Sequence, residues 1–156
     1  ARAMIRSARQ LGLTVLLAGC ASNAEQATTP PQLRLQANGS RAVELSITGT
    51  SALRGLQATL SYDPEQLIVT AVEAVDQLAR LDRVFSADPN AARGRLLFGA
   101  TDTRRVRLPA SGRLFVIAFT PRVVGKTSLA VHQAIGALDG ENRVGIADVE
   151  IEVELQ

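Results

Sequence analysis

The chain is short of the side chains that usually announce a catalytic or sugar-binding site. Its 156 residues include one cysteine, one histidine, one tyrosine, four phenylalanines and no tryptophan. A single cysteine excludes an internal disulfide. Sugar-binding faces use aromatic rings as platforms, and the phenylalanines here mostly fall at positions that alternation turns inward, so few rings are left for that purpose. His132 is the only histidine, and it alternates with Val131 and Leu129 so as to point outward. A general base needs an oriented nucleophile or a proton to take, and no Ser or Cys motif adjoins His132 in the sequence. "GKTS" at Gly125 to Ser128 is not a phosphate loop: Thr120 stands where that motif requires glycine, and a strand pattern follows where it requires a helix. These absences argue against an enzyme.

What is present begins with an exported leader. Arg6 and Arg9 flank Leu11 to Ala18, which is apolar apart from Gly12 and Thr14, and no acidic residue precedes Glu25. This is the layout of a secretory signal peptide, with Met4 fitting a natural start. The apolar run is too short to cross a ~30 Å hydrocarbon core, which needs ~20 residues as a helix. Leu17-Ala18-Gly19-Cys20 resembles the lipobox of bacterial lipoproteins. The resemblance implies cleavage before Cys20 and lipidation of its thiol, so residues 1–19 are expected to be a leader and Cys20 a membrane attachment point. Ala21 lacks the aspartate that retains lipoproteins in the inner membrane of enteric bacteria, which favours the outer membrane in a host that has one. The expected location is therefore the cell envelope, through a lipid anchor.

Cleavage would also change the charge. The whole chain is +2, and without Arg2, Arg6 and Arg9 it has 14 basic against 15 acidic residues, a net −1. A balanced domain gives little support for nucleic-acid binding. Ala21 to Gln32, "ASNAEQATTPPQ", is small, polar and ends in a proline pair; it reads as a tether that reaches at most roughly 40 Å. Residues 33–156 have the size of one domain with its own core.

That domain alternates with period two almost throughout. Val43, Leu45 and Ile47 share one face of "RAVELSIT"; Leu56, Ala58, Leu60 and Tyr62 oppose Gln57, Thr59 and Ser61; Val149, Ile151, Val153 and Leu155 oppose Glu150, Glu152 and Glu154. Leu114 to Phe119 is apolar on both faces, which predicts a central strand covered on each side. "AVEAVDQLARLDRVF" alone permits a helical turn or two, through Val75, Leu78, Leu81 and Phe85. Turn signals at "NGS", "YDPEQ", "ADPN", "PASG" and "LDGEN" separate the runs. In "YDPEQ", Asp63 is placed to accept a backbone hydrogen bond from two residues on, and Pro64 to preset the next φ. Asp139 and Glu141 in "LDGEN" could be read as paired carboxylates, but Asp-Gly there is first a hairpin turn. Short strands, regular turns and almost no helix predict an all-β sandwich.

"GLQATLSYDPEQLIVTAV", Gly55 to Val72, and "GRLFVIAFTPRVVGKTSLAV", Gly112 to Val131, resemble the cohesin family in order and spacing, and "DGENRVGIADVEIEV" is similar to its closing hairpin. The resemblance spans the whole domain. It implies a jelly-roll β-sandwich of about nine strands, related in fold to carbohydrate-binding modules, that holds a partner protein and catalyses nothing. It implies no cofactor or metal in this chain, calcium being expected only in a dockerin-like partner. Secretion or envelope components are alternative protein partners, and an envelope polysaccharide is the second class of ligand.

The same resemblance implies that the partner lies across one exposed sheet face. The positions that fall there are Gln57, Thr59 and Ser61 on one strand, and Arg95 and Leu97 on another. Leu97 is then an apolar side chain facing solvent among polar neighbours, the composition of an anchor with a polar rim. "TDTRRVRLP" places Arg105 and Arg107 on one side of a possible strand with Arg104 opposite, a candidate carboxylate contact. With 16 arginines and one lysine in the chain, those arginines read equally as a solvated face.

Overall fold

A computed structural model describes residues 29–49, 52–88 and 93–156. Ten strands form two antiparallel sheets. They are β1 (Gln32–Ala37), β2 (Ala42–Thr48), β3 (Gly55–Tyr62), β4 (Leu67–Ala74), β5 (Arg83–Ser86), β6 (Arg95–Thr101), β7 (Gly112–Pro121), β8 (Gly125–Ala137), β9 (Arg143–Ile146) and β10 (Val149–Leu155). One sheet has the order β1-β2-β7-β4; the other runs β10-β8-β3-β6-β5, with β9 also paired to β8. β1 begins at Gln32, one residue inside the segment read as tether.

The strand alternation builds the core directly. Val43, Leu45 and Ile47 from one sheet face Ala58, Leu60, Leu96, Phe98, Leu129 and Val131 from the other, all fully or nearly fully buried. Phe98 on β6 and Phe115 on β7 meet across the two layers edge to face, with ring centroids 5.0 Å apart, an arrangement suited to the aromatic quadrupole. The Asp63 turn forms as its chemistry predicts. The Glu65 N–H donates to Asp63 Oδ1 at 2.9 Å, and the Gln66 and Leu67 N–H groups both donate to the Asp63 carbonyl at 3.1 Å.

The fold agrees with the expected sandwich of about nine strands, the tenth arising because the outer edge beside β8 is divided in two, and two local expectations need correction. β9 pairs Ala134–Ala137 and β10 pairs Gly125–Val131; the ladder lapses where Gln133 adopts φ +54° and bulges from β8. Leu114 to Phe119 is not covered equally on both sides: Phe115, Ile117 and Phe119 face the core, whereas Val116 and Ala118 are only half-buried on the outside. A register shift opposite Leu45/Ser46 lets Leu114 turn inward beside Phe115, which breaks the alternation there. The segment around Asp76 makes a single 3-10 turn, Asp76–Arg80, that buries Leu78. Phe85 is not on that turn. It lies on β5 and is partly exposed.

Candidate binding face

The two sheets present different outer surfaces. On the four-stranded sheet Arg113 is fully engaged: Nε and Nη2 donate to the two Asp76 carboxylate oxygens at 2.9 Å each, and Nη1 donates to Glu44 Oε2 at 3.3 Å. The fork holds the Asp76 carboxyl below its ordinary range and ties the 3-10 turn to β2 and β7. Arg113 is thereby spent on the protein itself, whereas Arg34 on β1 and Glu73 on β4 stay exposed on the same sheet.

The six-stranded sheet presents successive cross-strand rows. Pairing puts Leu97 beside Thr59 and Thr59 beside His132, and puts Arg95 beside Ser61 and Ser61 beside Ala130. All five positions expected on the binding face therefore lie together on it. Gln57, Arg95 and Leu97 are exposed, Thr59 and Ser61 half-buried, and Leu97 keeps 42% of its surface in solvent. Arg105 and Arg107 do not join them in a strand. Residues 102–111 form a loop, where Arg105 has φ +66° and Arg107 donates to Asp139 Oδ1 and the Ala52 carbonyl. The expected strand fails because Asp102 bonds locally: its Oδ1 accepts from the Arg104 N–H at 2.7 Å and from Nε at 3.0 Å. Arg107 is a clasp on the β8–β9 turn, and Asp139 is its counter-ion rather than half of a carboxylate pair.

Asp102 organises that loop. Its side chain is buried, Arg104 Nη2 reaches Oδ2 at 2.6 Å, and the Asp82 N–H donates to the same oxygen at 3.2 Å. Arg104 Nη2 also donates to the Arg80 carbonyl at 2.9 Å, and Asp82 accepts from Thr103. The Arg104 guanidinium, together with the backbone donors, holds the Asp102 carboxyl down to about 2.

Three surface features cannot be read from the sequence pattern. The Ser61 hydroxyl and His132 Nε2 are hydrogen-bonded across β3 and β8, a contact between residues 71 apart that no local motif could signal. Among the described residues no carboxylate orients the ring, so the pair lacks the third member of a nucleophilic relay. Ile135 is 44% exposed although plain alternation from Leu129 and Val131 would turn it inward; the Gln133 bulge shifts parity by one, as bulges do. Phe85, 39% exposed, pairs with Gly99 and lies over it. A β-carbon on Gly99 would stand 2.6 Å from Phe85 Cζ and 2.3 Å from the Leu56 carbonyl oxygen, so the ring is seated there because the position is glycine.

Phe85 and Ile135 thus stand at the two sides of a shallow trough of about 280 Å³, lined also by Gly55, Gln57, Thr101 and Ala137. Its shape suits a protruding side chain. Among the described residues no three His, Cys, Asp or Glu side chains converge as a metal-ligand set, and no helix is long and apolar enough to cross a membrane.

The architecture has clear counterparts among solved structures. The sixth cohesin of scaffoldin B from Acetivibrio cellulolyticus, solved in complex with a Cel5 dockerin, matches with TM-score 0.68 at 15% identity, over 82% of this chain and 100% of that one. A non-cellulosomal cohesin from the archaeon Archaeoglobus fulgidus matches with TM-score 0.63 at 16% identity, over 81% and 91%. The cohesin module of a family 33 glycoside hydrolase from Clostridium perfringens matches with TM-score 0.62 at 14% identity, over 81% and 97%. No family model and no curated protein matches the chain. The described domain is a two-sheet β-sandwich, and its fold is that of cohesin modules, as the sequence resemblance implies.

Proposed function

We propose that the protein is a non-catalytic protein-binding module, displayed at the cell envelope by a lipid on Cys20, that holds a dockerin-like or other envelope partner across the outer face of its six-stranded sheet. The observation that carries this reading is the pairing of a cohesin fold over the whole domain with an outer face where Leu97, Phe85 and Ile135 are exposed together. Several of the similar cohesins were solved bound to dockerins. On the opposite face Arg113 is held by Asp76 and Glu44, whereas the apolar residues Leu97, Phe85 and Ile135 are gathered on the six-stranded side. Cys20 lies outside the described residues, and the anchor rests on the lipobox resemblance alone.

The test is capture from the cell of origin with the purified full chain as bait. A defined protein should be retained by the native chain and lost with Leu97→Asp, at unchanged melting temperature; an affinity loss of about 2 kcal/mol or more is the scale of an interface hot spot. Retention that is indifferent to Leu97 would remove this face from the site. Phe85 favours a second reading, because an exposed ring flat on a sheet also suits a sugar. Recovery of envelope polysaccharide in place of protein, lost on Phe85→Ala, would favour it.

A further inference from the structure

We infer that the outer face of the four-stranded sheet is a contact between two copies of this chain, packed sheet on sheet about a two-fold axis that runs along the strands. The pair stands back to back, with both six-stranded faces outward. This goes beyond the proposed partner binding and does not depend on what the six-stranded face holds.

The charges of the face select both the occupant and the axis. Alternation leaves four ionised side chains on the outside of these strands: Arg34 on β1, Glu44 on β2, Arg113 on β7 and Glu73 on β4. Arg113 is held by Glu44 and Asp76. Arg34 and Glu73 are exposed, and neither has an ion-pair or hydrogen-bond partner among the described residues. They stand on the two edge strands of the sheet order β1-β2-β7-β4, three intervals or roughly 14 Å apart. A two-fold axis across the strands would stack β1 on β1 and gather like charges at each edge. An axis along the strands stacks β1 of each copy on β4 of the other, which brings Arg34 to Glu73 twice over. Register puts Arg34 in the row of Ser46 and Arg113, and Glu73 in the next outer row with Val116 and Glu44. That offset of two residues, ~7 Å along a strand, lies within reach of the two side chains.

Between those edges the face carries no unpaired charge. Val116 and Ala118 are half-buried on its outside, and Ile68, 40% exposed at the outer edge of β4, adds apolar surface. Two such faces can close to the ~10 Å of stacked sheets. Four strands of about seven residues present a patch of roughly 20 by 23 Å, at the small end of specific interfaces. The dimer is therefore weak in solution and gains from a high local concentration. The same axis provides for that: β1 begins at one end of both copies, so two tethers leave in the same direction and two lipids meet one membrane, where the second contact is between neighbours. The membrane part rests on the proposed Cys20 anchor; the charge pairing does not.

The test uses the full chain carrying Cys20→Ser, which leaves it without a thiol. Sedimentation should show a monomer–dimer equilibrium with a dissociation constant of about 10 μM to 1 mM, as a small interface gives. Arg34→Glu should weaken the dimer about tenfold, because each substitution counts twice across the axis, and Arg34→Glu/Glu73→Arg should restore it with the melting temperature unchanged. A short bis-maleimide added to a mixture of Arg34→Cys and Glu73→Cys chains should join the two variants to each other, and neither to itself. A strict monomer at about 1 mM would overturn the dimer, and so would self-crosslinking of the Arg34→Cys chain in place of the mixed pair. A dimer that is indifferent to Arg34→Glu and lost with Leu97→Asp would move self-association to the six-stranded face. Capture of the proposed partner by the Arg34→Glu chain should match the native chain, so failure of the dimer leaves the partner reading standing, and a dimer that captures nothing counts against that reading alone.

Discussion

Asp102 shows how one side chain fixes a loop that alternation would have made a strand. It accepts from Arg104 twice through the side chain and from two backbone N–H groups. Its carboxyl is ordinarily half-ionised at 3.8 and here at about 2. A depressed carboxylate contributes stability that is complete above the unfolded value and lost as pH falls through the folded one. The clasp should therefore weaken between about pH 4 and pH 2. Asp102→Asn should lower the melting temperature at pH 7, and the gap from the native chain should close as pH approaches 2; a gap independent of pH would show that the charge is not what Arg104 recognises. Gly99 makes a steric counterpart. Gly99→Ala should cost ~1–3 kcal/mol in denaturant unfolding, the range for overpacking, because its β-carbon meets the fixed Leu56 carbonyl as well as the Phe85 ring. Unchanged stability would mean that β6 shifts freely at that point.

At the scale of the strand, the regular elements were legible and the irregular ones were not, for a physical reason. β2, β3 and β10 alternate because each has one face on the core, so Val43, Leu60 and Val153 could be placed inward from sequence alone. β7 and β8 each carry a register shift, and past it every side chain changes face. Nothing local in "VHQAI" marks Gln133 as the bulge, so Ile135 and its place on the binding face were invisible. Phe85 and its seat on Gly99 are likewise not legible, because their relation is set by the β5–β6 pairing rather than by local spacing. The consequences for β7 are measurable: Ile117→Ala should cost ~2–5 kcal/mol and Phe115→Ala ~3–5 kcal/mol, as buried truncations do. Val116→Ala on the half-buried outer side should cost less, and Glu152→Ala, exposed on β10, should stay within about 0.5 kcal/mol. Equal losses at Val116 and Ile117 in chemical denaturation would mean that both faces of β7 are covered after all.

At the scale of the molecule, the layering would keep the proposed attachment apart from the proposed binding face. β1, which follows the expected tether, sits at the edge of the four-stranded sheet, while the trough and Leu97 lie on the outside of the other layer. If the chain is held through residues 20–32 as proposed, a tether reaching at most roughly 40 Å leaves the outer face of the six-stranded sheet free to meet a partner. Each buried CH₂ of an acyl chain contributes ~0.8 kcal/mol, so one chain holds a protein marginally and two or more hold it firmly. Loss of the thiol should therefore abolish attachment outright. Cys20→Ser should abolish metabolic labelling with palmitate and move the protein from the membrane fraction to an uncleaved precursor or a released form, with the folded domain intact by circular dichroism. Binding to the captured partner in solution should be unchanged, since no part of the binding face belongs to the leader or the tether. Continued palmitate labelling of the Cys20→Ser chain would sink the lipid anchor, and a loss of partner affinity alongside a loss of labelling would show that attachment and recognition are not separate after all.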